Sequence, residues 1–161
     1  MRNIIAIFLF VGGINLAAAG PTVTGSPPIL PNPKLTPGST IMLETDTVCV
    51  VGYTKDARHV TPATRKQVFA SYGITPSGDY ELDHLVSLEL GGSNDATNLW
   101  PQSYKTEPWN ARVKDKLENK LHKMVCDGQM TLKEAQDKIS KDWIKSYCEV
   151  FNDEKCNGDV K

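Results

Sequence analysis

The order of apolar and polar residues predicts two short strands joined by a tight turn near the middle of the chain. Residues 80 to 90 (YELDHLVSLEL) mix apolar and polar positions in the manner of a half-buried strand. Residues 91 to 95 (GGSND) are a turn cluster. Residues 98 to 101 (NLWP) predict a second strand, which Pro101 should stop because proline cannot donate to a strand ladder. A further short strand and turn is predicted over residues 46 to 53.

Helical patterns lie on both sides of these strands. Before them, Thr61 and Pro62 are the cap and first position of a predicted helix that ends at Gly73. After them, a long helix is predicted from Glu107 to about Met124. Its apolar stripe at helical spacing is formed by Val113, Leu117, Leu121 and Met124.

The last predicted helix begins with a capping box made by Thr131 and Glu134, and it runs from Leu132 to about Tyr147. Its predicted core residues are Ala135, Ile139, Trp143 and Ile144. We find no internal repeat. Two strands between helical segments predict an α+β fold with one core.

The first residues have the pattern of a signal peptide. Arg2 precedes an uncharged, mostly apolar run over residues 4 to 19, and Ala17 and Ala19 fit the signal-peptidase rule for cleavage before Gly20. A retained membrane anchor is the alternative, but this run is shorter than the ~20 residues that a spanning helix needs. The sequence therefore predicts an exported protein, periplasmic or extracellular, whose mature form has no membrane contact.

This boundary divides the chain into three parts. Residues 1 to 19 are the predicted signal peptide, residues 20 to 41 a flexible leader rich in proline, glycine and serine, and residues 42 to 161 one folded domain. Removing Arg2 leaves 17 basic and 19 acidic side chains. Because many nucleic-acid-binding domains are strongly basic, any such binding here must depend on a local patch or a metal.

The four cysteines indicate disulfides, because an even number in an exported chain is typical of oxidised pairs. Of the three pairings, we favour a short loop between Cys148 and Cys156 and a long link between Cys49 and Cys126. Zinc binding by these cysteines is the alternative, but no C-x-x-C spacing supports it.

Asp83 and His84 are the polar pair with the clearest chemical use. A carboxylate such as Asp83 supplies hard oxygen ligands for a divalent cation, and an imidazole such as His84 takes a proton from water near neutral pH. Neighbours in a strand point to opposite sides, so both can reach one site only where the strand bends or ends. Asn98, across the glycine-rich turn, can hold the loop through side-chain hydrogen bonds to the backbone.

The residues DH at 83 and 84, GGS at 91 to 93 and NL at 98 and 99, followed by a helix, resemble the HNH nuclease motif, or ββα-metal finger. The motif covers about residues 83 to 119. A wider likeness to small exported bacterial HNH-like proteins covers about residues 47 to 147. The resemblance implies a disulfide-stapled finger with flanking helices. It also implies that His84 is the general base, Asp83 a metal ligand, and Asn98 the middle residue of the catalytic motif, usually structural.

The last position of the motif, a His or Asn on the helix, is where this chain differs. Counting along the motif reaches Glu107, and Asn110 lies one helical turn later, so we predict that one of these is the second metal ligand. Residues 114 to 119 (KDKLEN) are a rival source of that ligand. Basic residues exceed acidic ones in this helical region, which predicts phosphate contacts from Arg112 and Lys114; a solvated helix face explains the same charges.

The resemblance predicts a metal-dependent nuclease. His84 would deprotonate water, and a divalent ion, Mg²⁺ in preference to Mn²⁺ or Zn²⁺, would neutralise charge on the phosphodiester. The predicted partner is nucleic acid, with DNA favoured over RNA. Two alternatives remain: an exported binding module that keeps the finger as a structural unit, and a toxin or effector whose proline-rich leader docks a partner.

Overall fold

The computed structural model describes residues 30 to 157; the predicted signal peptide and the start of the leader lie outside the described residues. In chain order the elements are α1 (Thr45–Val48), α2 (Tyr53–Ala57), α3 (Pro62–Ser71), β1 (Tyr80–His84), β2 (Leu99–Ser103), α4 (Ala111–Cys126), α5 (Leu132–Lys141) and α6 (Trp143–Phe151). Short 3-10 helices lie at Leu88–Leu90, Ala96–Asn98 and Glu154–Asn157. The predicted α+β class is confirmed, and none of the described helices could cross a bilayer.

The sheet is a single antiparallel pair in which His84 lies opposite Leu99 and Tyr80 opposite Ser103. β1 is shorter than predicted, because the chain leaves the strand after His84. β2 is longer than predicted and continues through Pro101, which lies opposite Leu82. A two-stranded sheet has an open edge on each strand, and an open edge is where a proline can remain in a strand.

Local capping signals set several helix ends. The side chain of Thr61 accepts from the backbone N–H of Thr64 and begins α3, and the capping box of Thr131 and Glu134 begins α5, both as predicted. α4 begins later than predicted, at Ala111, because Asn110 is its cap.

The last predicted helix is in fact two helices. Asp142 has an extended backbone, with φ of −163°, and its side chain accepts from the N–H of Lys145 at 2.9 Å, which caps α6. The break lets α5 and α6 pack separately on α4. The predicted core residues of both helices, Ala135, Ile139, Trp143 and Ile144, are all buried.

Two apolar clusters hold these elements together. In the larger one, Val113, Leu117 and Leu121 of α4 are buried as predicted, and α5 and α6 pack against them. Val125, rather than the half-buried Met124, completes the stripe at the end of α4. The smaller cluster packs α3 on the sheet and contains Val68, Phe69, Leu82 and Leu99.

The segment before α3 is helical, so the strand predicted over residues 46 to 53 is wrong. α1 and α2 are short helices separated by Gly52, whose φ of 86° is left-handed and suits glycine. Val48 is buried in the larger cluster. Tertiary contacts of this kind override a weak local preference for strand.

Both predicted disulfides are present. Cys49–Cys126 joins the segment after α1 to the end of α4 across 77 residues, and Cys148–Cys156 closes a short loop after α6. Two disulfides in a chain of this size indicate an oxidising, non-cytoplasmic environment.

The described part of the leader packs on the turn between β1 and β2. Gly38 donates its N–H to the Thr97 carbonyl at 3.0 Å, and Ile41 donates to the Gly91 carbonyl at 2.9 Å. The hydroxyl of Thr36, which is buried, donates to the Leu99 carbonyl at 2.9 Å. Residues 36 to 41 therefore belong to the folded domain, which begins earlier than the predicted residue 42.

Candidate functional site

The end of β1 is joined to α4 by a buried lysine. The side chain of Lys114 is 1% exposed, and its ammonium forms an ion pair with Asp83 Oδ2 at 2.7 Å. The same ammonium donates to the His84 carbonyl oxygen at 2.7 Å and pairs with Glu118. Burial by itself would lower the pKa of Lys114, but the Asp83 and Glu118 carboxylates raise it above its ordinary value, so this lysine stays charged.

The burial of Lys114 prevents the phosphate contact that was predicted for it. Three oxygens already surround the Lys114 ammonium inside the protein, so it presents no donor to a phosphate on the surface. The phosphate contact predicted for Lys114 is therefore corrected to an internal one. Arg112 is exposed, with its guanidinium 5.9 Å from the ring centre of Tyr104, and its phosphate contact stays a prediction.

Asn98 holds the turn between the strands. It is fully buried, its side-chain oxygen accepts from the N–H of Val86 at 2.9 Å, and its Nδ2 donates to the carbonyls of Val86 and Ser93, both at 2.9 Å. Gly92 passes so close to this turn that a Cβ there would lie 1.8 Å from the Val86 carbonyl oxygen. The loop therefore requires both the amide of Asn98 and a glycine at position 92.

Asn94 determines which nitrogen of His84 carries the proton. Its Nδ2 donates to the Ala57 carbonyl at 2.8 Å and its Oδ1 accepts from the His59 N–H at 3.3 Å, which fixes the orientation of the amide. Asn94 Oδ1 lies 3.1 Å from His84 Nε2, so Nε2 must be the donor. The proton is then absent from His84 Nδ1, which is buried and has no hydrogen-bond partner among the described residues.

His84 is electrically neutral in this setting. The ring is 1% exposed, and burial lowers its pKa below the ordinary value of 6.5. The hydrogen bond with Asn94 raises the pKa and the nearby charge of Arg58 lowers it, both by less than the burial does. A neutral imidazole with a free Nδ1 is the protonation state that a general base requires.

Three carboxylates near the end of β1, those of Glu81, Asp83 and Asp115, lie close enough to affect one another electrostatically. Glu81 and Asp83 are two residues apart in β1 and so lie on one side of the strand. Glu81 Oε2 accepts from the Tyr104 hydroxyl at 2.8 Å, and Glu81 Oε1 has no partner among the described residues. Burial, together with the charge of Asp83, raises the pKa of both Glu81 and Asp115. These are hard oxygen donors in a field that attracts a cation.

The predicted second metal ligands lie together, at the start of α4. Asn110 Nδ2 donates to Glu107 Oε1 at 3.3 Å, and Asn110 Oδ1 accepts from the Val113 N–H at 3.2 Å. The amide of Asn110 therefore serves as a helix cap. Within residues 30 to 157, Asp83 belongs to no group of three His, Cys, Asp or Glu ligand atoms within 4.8 Å of one another. The assignment of Asn110 or Glu107 to a metal stays a prediction.

A different group has metal-ligand spacing. Cys49, His122 and Cys126 place their sulfur and nitrogen atoms within 4.8 Å of one another, so this group could hold a metal ion. His122 and Cys126 are four residues apart on α4, which was the sequence signal for it. The two sulfurs form a disulfide, so neither is a thiolate in the oxidised protein.

Arg58 is a further charged residue near the site, and no sequence pattern indicates it. It is exposed, and it lines two cavities, one of about 720 Å³ beside Leu82 and one of about 370 Å³ beside Asp115. Only the tertiary contact between Asn94 and the segment before α3 brings Arg58 to His84, and no local pattern indicates that contact.

Comparison of the chain with protein-family models, with curated proteins and with solved structures finds no match in any of the three. The geometry around His84 is therefore the basis for inferring a function.

Proposed function

We propose that this protein is an exported HNH-type nuclease that hydrolyses phosphodiester bonds of nucleic acid, with His84 as its general base. The observation that carries the proposal is the buried His84 Nδ1, which Asn94 leaves unprotonated and unpartnered at the end of β1. The order of two strands and a helix, with Asn98 holding the turn between the strands, supports the same reading. Export is supported by the two disulfides.

The proposed step is a hydrolysis in which His84 Nδ1 accepts a proton from water. The water oxygen forms a bond to phosphorus, the bond from phosphorus to the leaving oxygen breaks, and the leaving oxygen takes a proton from solvent. His84 Nε2 keeps its proton throughout, because Asn94 Oδ1 accepts it. The lowered pKa keeps His84 ready to accept a proton at neutral pH.

A divalent cation, with Mg²⁺ preferred, fits the donor chemistry beside His84. Asp83 and Glu81 offer carboxylate oxygens, and Glu81 Oε1 lacks a protein partner among the described residues. Asn110 or Glu107 remains the predicted further ligand. A bound cation would neutralise charge on the phosphodiester. Because Lys114 already pairs with Asp83 Oδ2, the cation must share Asp83 with this ammonium.

The test compares the mature, oxidised protein with its His84→Ala variant on plasmid DNA and on RNA, with and without Mg²⁺, Mn²⁺ or Zn²⁺. We expect metal-dependent cleavage that the variant loses by about a hundredfold or more, with an unchanged circular dichroism spectrum. His122→Ala is the matched control, since it removes a half-buried imidazole elsewhere on the molecule. Equal cleavage by the protein and its His84→Ala variant, or none by either, would contradict the proposal.

A non-catalytic binding module is the second candidate, and one observation favours it. The Lys114 ammonium already compensates Asp83, so the strands and α4 are held together without a metal ion. In that case the protein would bind nucleic acid without cleaving it under any metal condition. The cleavage assay, run beside a binding assay on the same protein, separates the two candidates.

A further inference from the structure

A cleft beside β1 carries exposed positive charge. Its volume is about 720 Å³, Leu82 lies at its wall, and Arg58, His59 and Arg65 line it together with the start of α3. We call it the arginine cleft, defined by Arg58, His59 and Arg65. It lies outside α4, the helix whose Arg112 and Lys114 were predicted to contact phosphate.

The arginine cleft is attached to His84 through one side chain. The side-chain amide of Asn94 accepts from the N–H of His59 and donates to the carbonyl of Ala57, so it forms hydrogen bonds with the backbone on both sides of Arg58. The same amide accepts the His84 Nε2 proton. Arg58 lies between Ala57 and His59, whose backbone groups Asn94 binds. One amide therefore sets the distance between the free base and the nearest arginine.

The two arginines are available to an anion. Among residues 30 to 157, most cations in ion pairs are lysines bound to a neighbouring carboxylate, such as Lys123 with Asp127 and Lys133 with Asp137. No such pair involves Arg58 or Arg65 within the described residues. Arg65 instead lies over the Phe69 ring, 4.7 Å from its centre, which orients the guanidinium without neutralising it. A guanidinium donates two parallel hydrogen bonds to a phosphate.

Carboxylates adjoin one end of this surface. Arg65 lies on α3 within the cleft, whereas Arg58 lines both the cleft and the cavity that Asp115 and Glu118 line. A polyanion is attracted by the arginines and repelled by the carboxylates, so its backbone should follow the cleft from Arg65 to Arg58 and present one phosphate near His84.

We propose that the arginine cleft binds the sugar–phosphate backbone of a nucleic acid strand, with Arg58 on the phosphate closest to His84 and Arg65 on a phosphate further along. The inference rests on the proposed function and adds the surface through which the substrate is held. Recognition by phosphate contacts alone carries no base information, so binding is independent of sequence.

The experiment measures binding in the His84→Ala protein, which retains the cleft but not the base. Fluorescence anisotropy with labelled single-stranded DNA, duplex DNA and RNA, over a range of salt, gives the affinity and its salt dependence. Arg58→Gln and Arg65→Gln should each weaken binding about tenfold at low salt, and each should reduce the salt slope by about one. Arg58→Lys should recover part of the loss. Lys133→Gln, on α5 and away from the cleft, is the control and should bind like the parent.

Arg112→Gln tests the rival surface on α4. If Arg112→Gln loses affinity and the cleft variants do not, the arginine cleft is overturned while the proposed nuclease stands. If the cleft variants bind with unchanged affinity and salt slope, the cleft is overturned in the same way. If the His84→Ala protein binds none of the three probes and the unaltered protein cleaves none, both proposals are overturned together.

Discussion

The ammonium of Lys114 lies 2.7 Å from a carboxylate oxygen of Asp83, so a positive charge inside the fold joins helix α4 to the end of strand β1. The residue after Asp83 is His84, whose carbonyl oxygen the same ammonium also binds, at 2.7 Å. The position of the proposed base therefore depends on a lysine at the first turns of α4. The ammonium pairs with the Asp83 carboxylate and the His84 carbonyl oxygen inside the protein. The strand, the turn and the helix can therefore be held in this arrangement without a metal ion.

The first prediction concerns this ammonium. Lys114→Met keeps a side chain of similar length but leaves Asp83 and Glu118 buried without their cation, so we expect a loss of about 3–5 kcal/mol in the free energy of unfolding. Chemical denaturation followed by circular dichroism measures it. Lys133→Met removes an exposed lysine paired with Asp137 and should leave the free energy of unfolding nearly unchanged. Equal effects of the two changes would show that the buried ion pair does not hold the site together.

The second prediction separates folding from activity. Removing divalent metal with a chelator should abolish cleavage but leave the thermal unfolding midpoint nearly unchanged, because Lys114 compensates Asp83 in the absence of metal. Differential scanning calorimetry and the cleavage assay, on one chelated sample, measure both. A midpoint that falls steeply on chelation would mean that metal, rather than the ammonium, holds β1 to α4, as in small domains that fold only on binding a metal.

The parts of the fold that the sequence predicted correctly depend on neighbouring residues. The caps at Thr61 and Thr131 and the apolar stripe of α4 are read from residues within a few positions of one another, and the structure confirms them. The predicted ends of the second strand and of the last helix were wrong. Pro101 remains inside β2, and Asp142 divides the last helix in two, and both outcomes depend on packing between distant elements. The open edge of the sheet allows Pro101 to stay in the strand, and the separate packing of α5 and α6 on α4 allows the break at Asp142.

The parts of the site that the sequence did not predict depend on distant residues. Asn94 reaches Ala57 across 37 positions, and Arg58 comes to His84 only through that contact. Lys114 was predicted to contact phosphate because basic residues exceed acidic ones in its helical region. Its burial follows from carboxylates that approach from β1 and from the next turn of α4, which no single-helix pattern reveals.

The third prediction concerns the pH dependence of cleavage. His84 is active when neutral, so the rate should fall as pH decreases through its pKa, which burial places below 6.5. Asn94→Asp supplies a carboxylate to the Nε2 proton and should raise that pKa, which moves the acid limb of the pH–rate profile to higher pH. Asn94→Ala removes a contact that raises the pKa and also releases the ring, so the rate should fall at every pH.

Gln129→Ala, which removes an exposed amide beyond the end of α4, is the control for these variants and should leave the profile unchanged. The same depressed pKa makes the folded state less stable in acid, because below pH 6.5 the unfolded chain binds a proton at this histidine before the folded one does. An acid limb that does not move in Asn94→Asp would contradict the role of Asn94 in setting the protonation of His84.

The last prediction concerns the group formed by Cys49, His122 and Cys126. In the oxidised protein the two sulfurs are joined, so added Co²⁺ should give no thiolate-to-metal absorption band. Reduction by a small thiol converts the disulfide to two thiols, whose ionised forms with His122 make a three-ligand set within 4.8 Å that suits a soft divalent ion. A variant with Cys148 and Cys156 both changed to serine confines the reduction to this pair. In that background the band should appear on reduction and weaken in His122→Ala. If cleavage in the oxidised protein requires metal while this band is absent, the catalytic metal is not bound by Cys49 and Cys126. A band in the oxidised protein would instead assign the metal to these two cysteines.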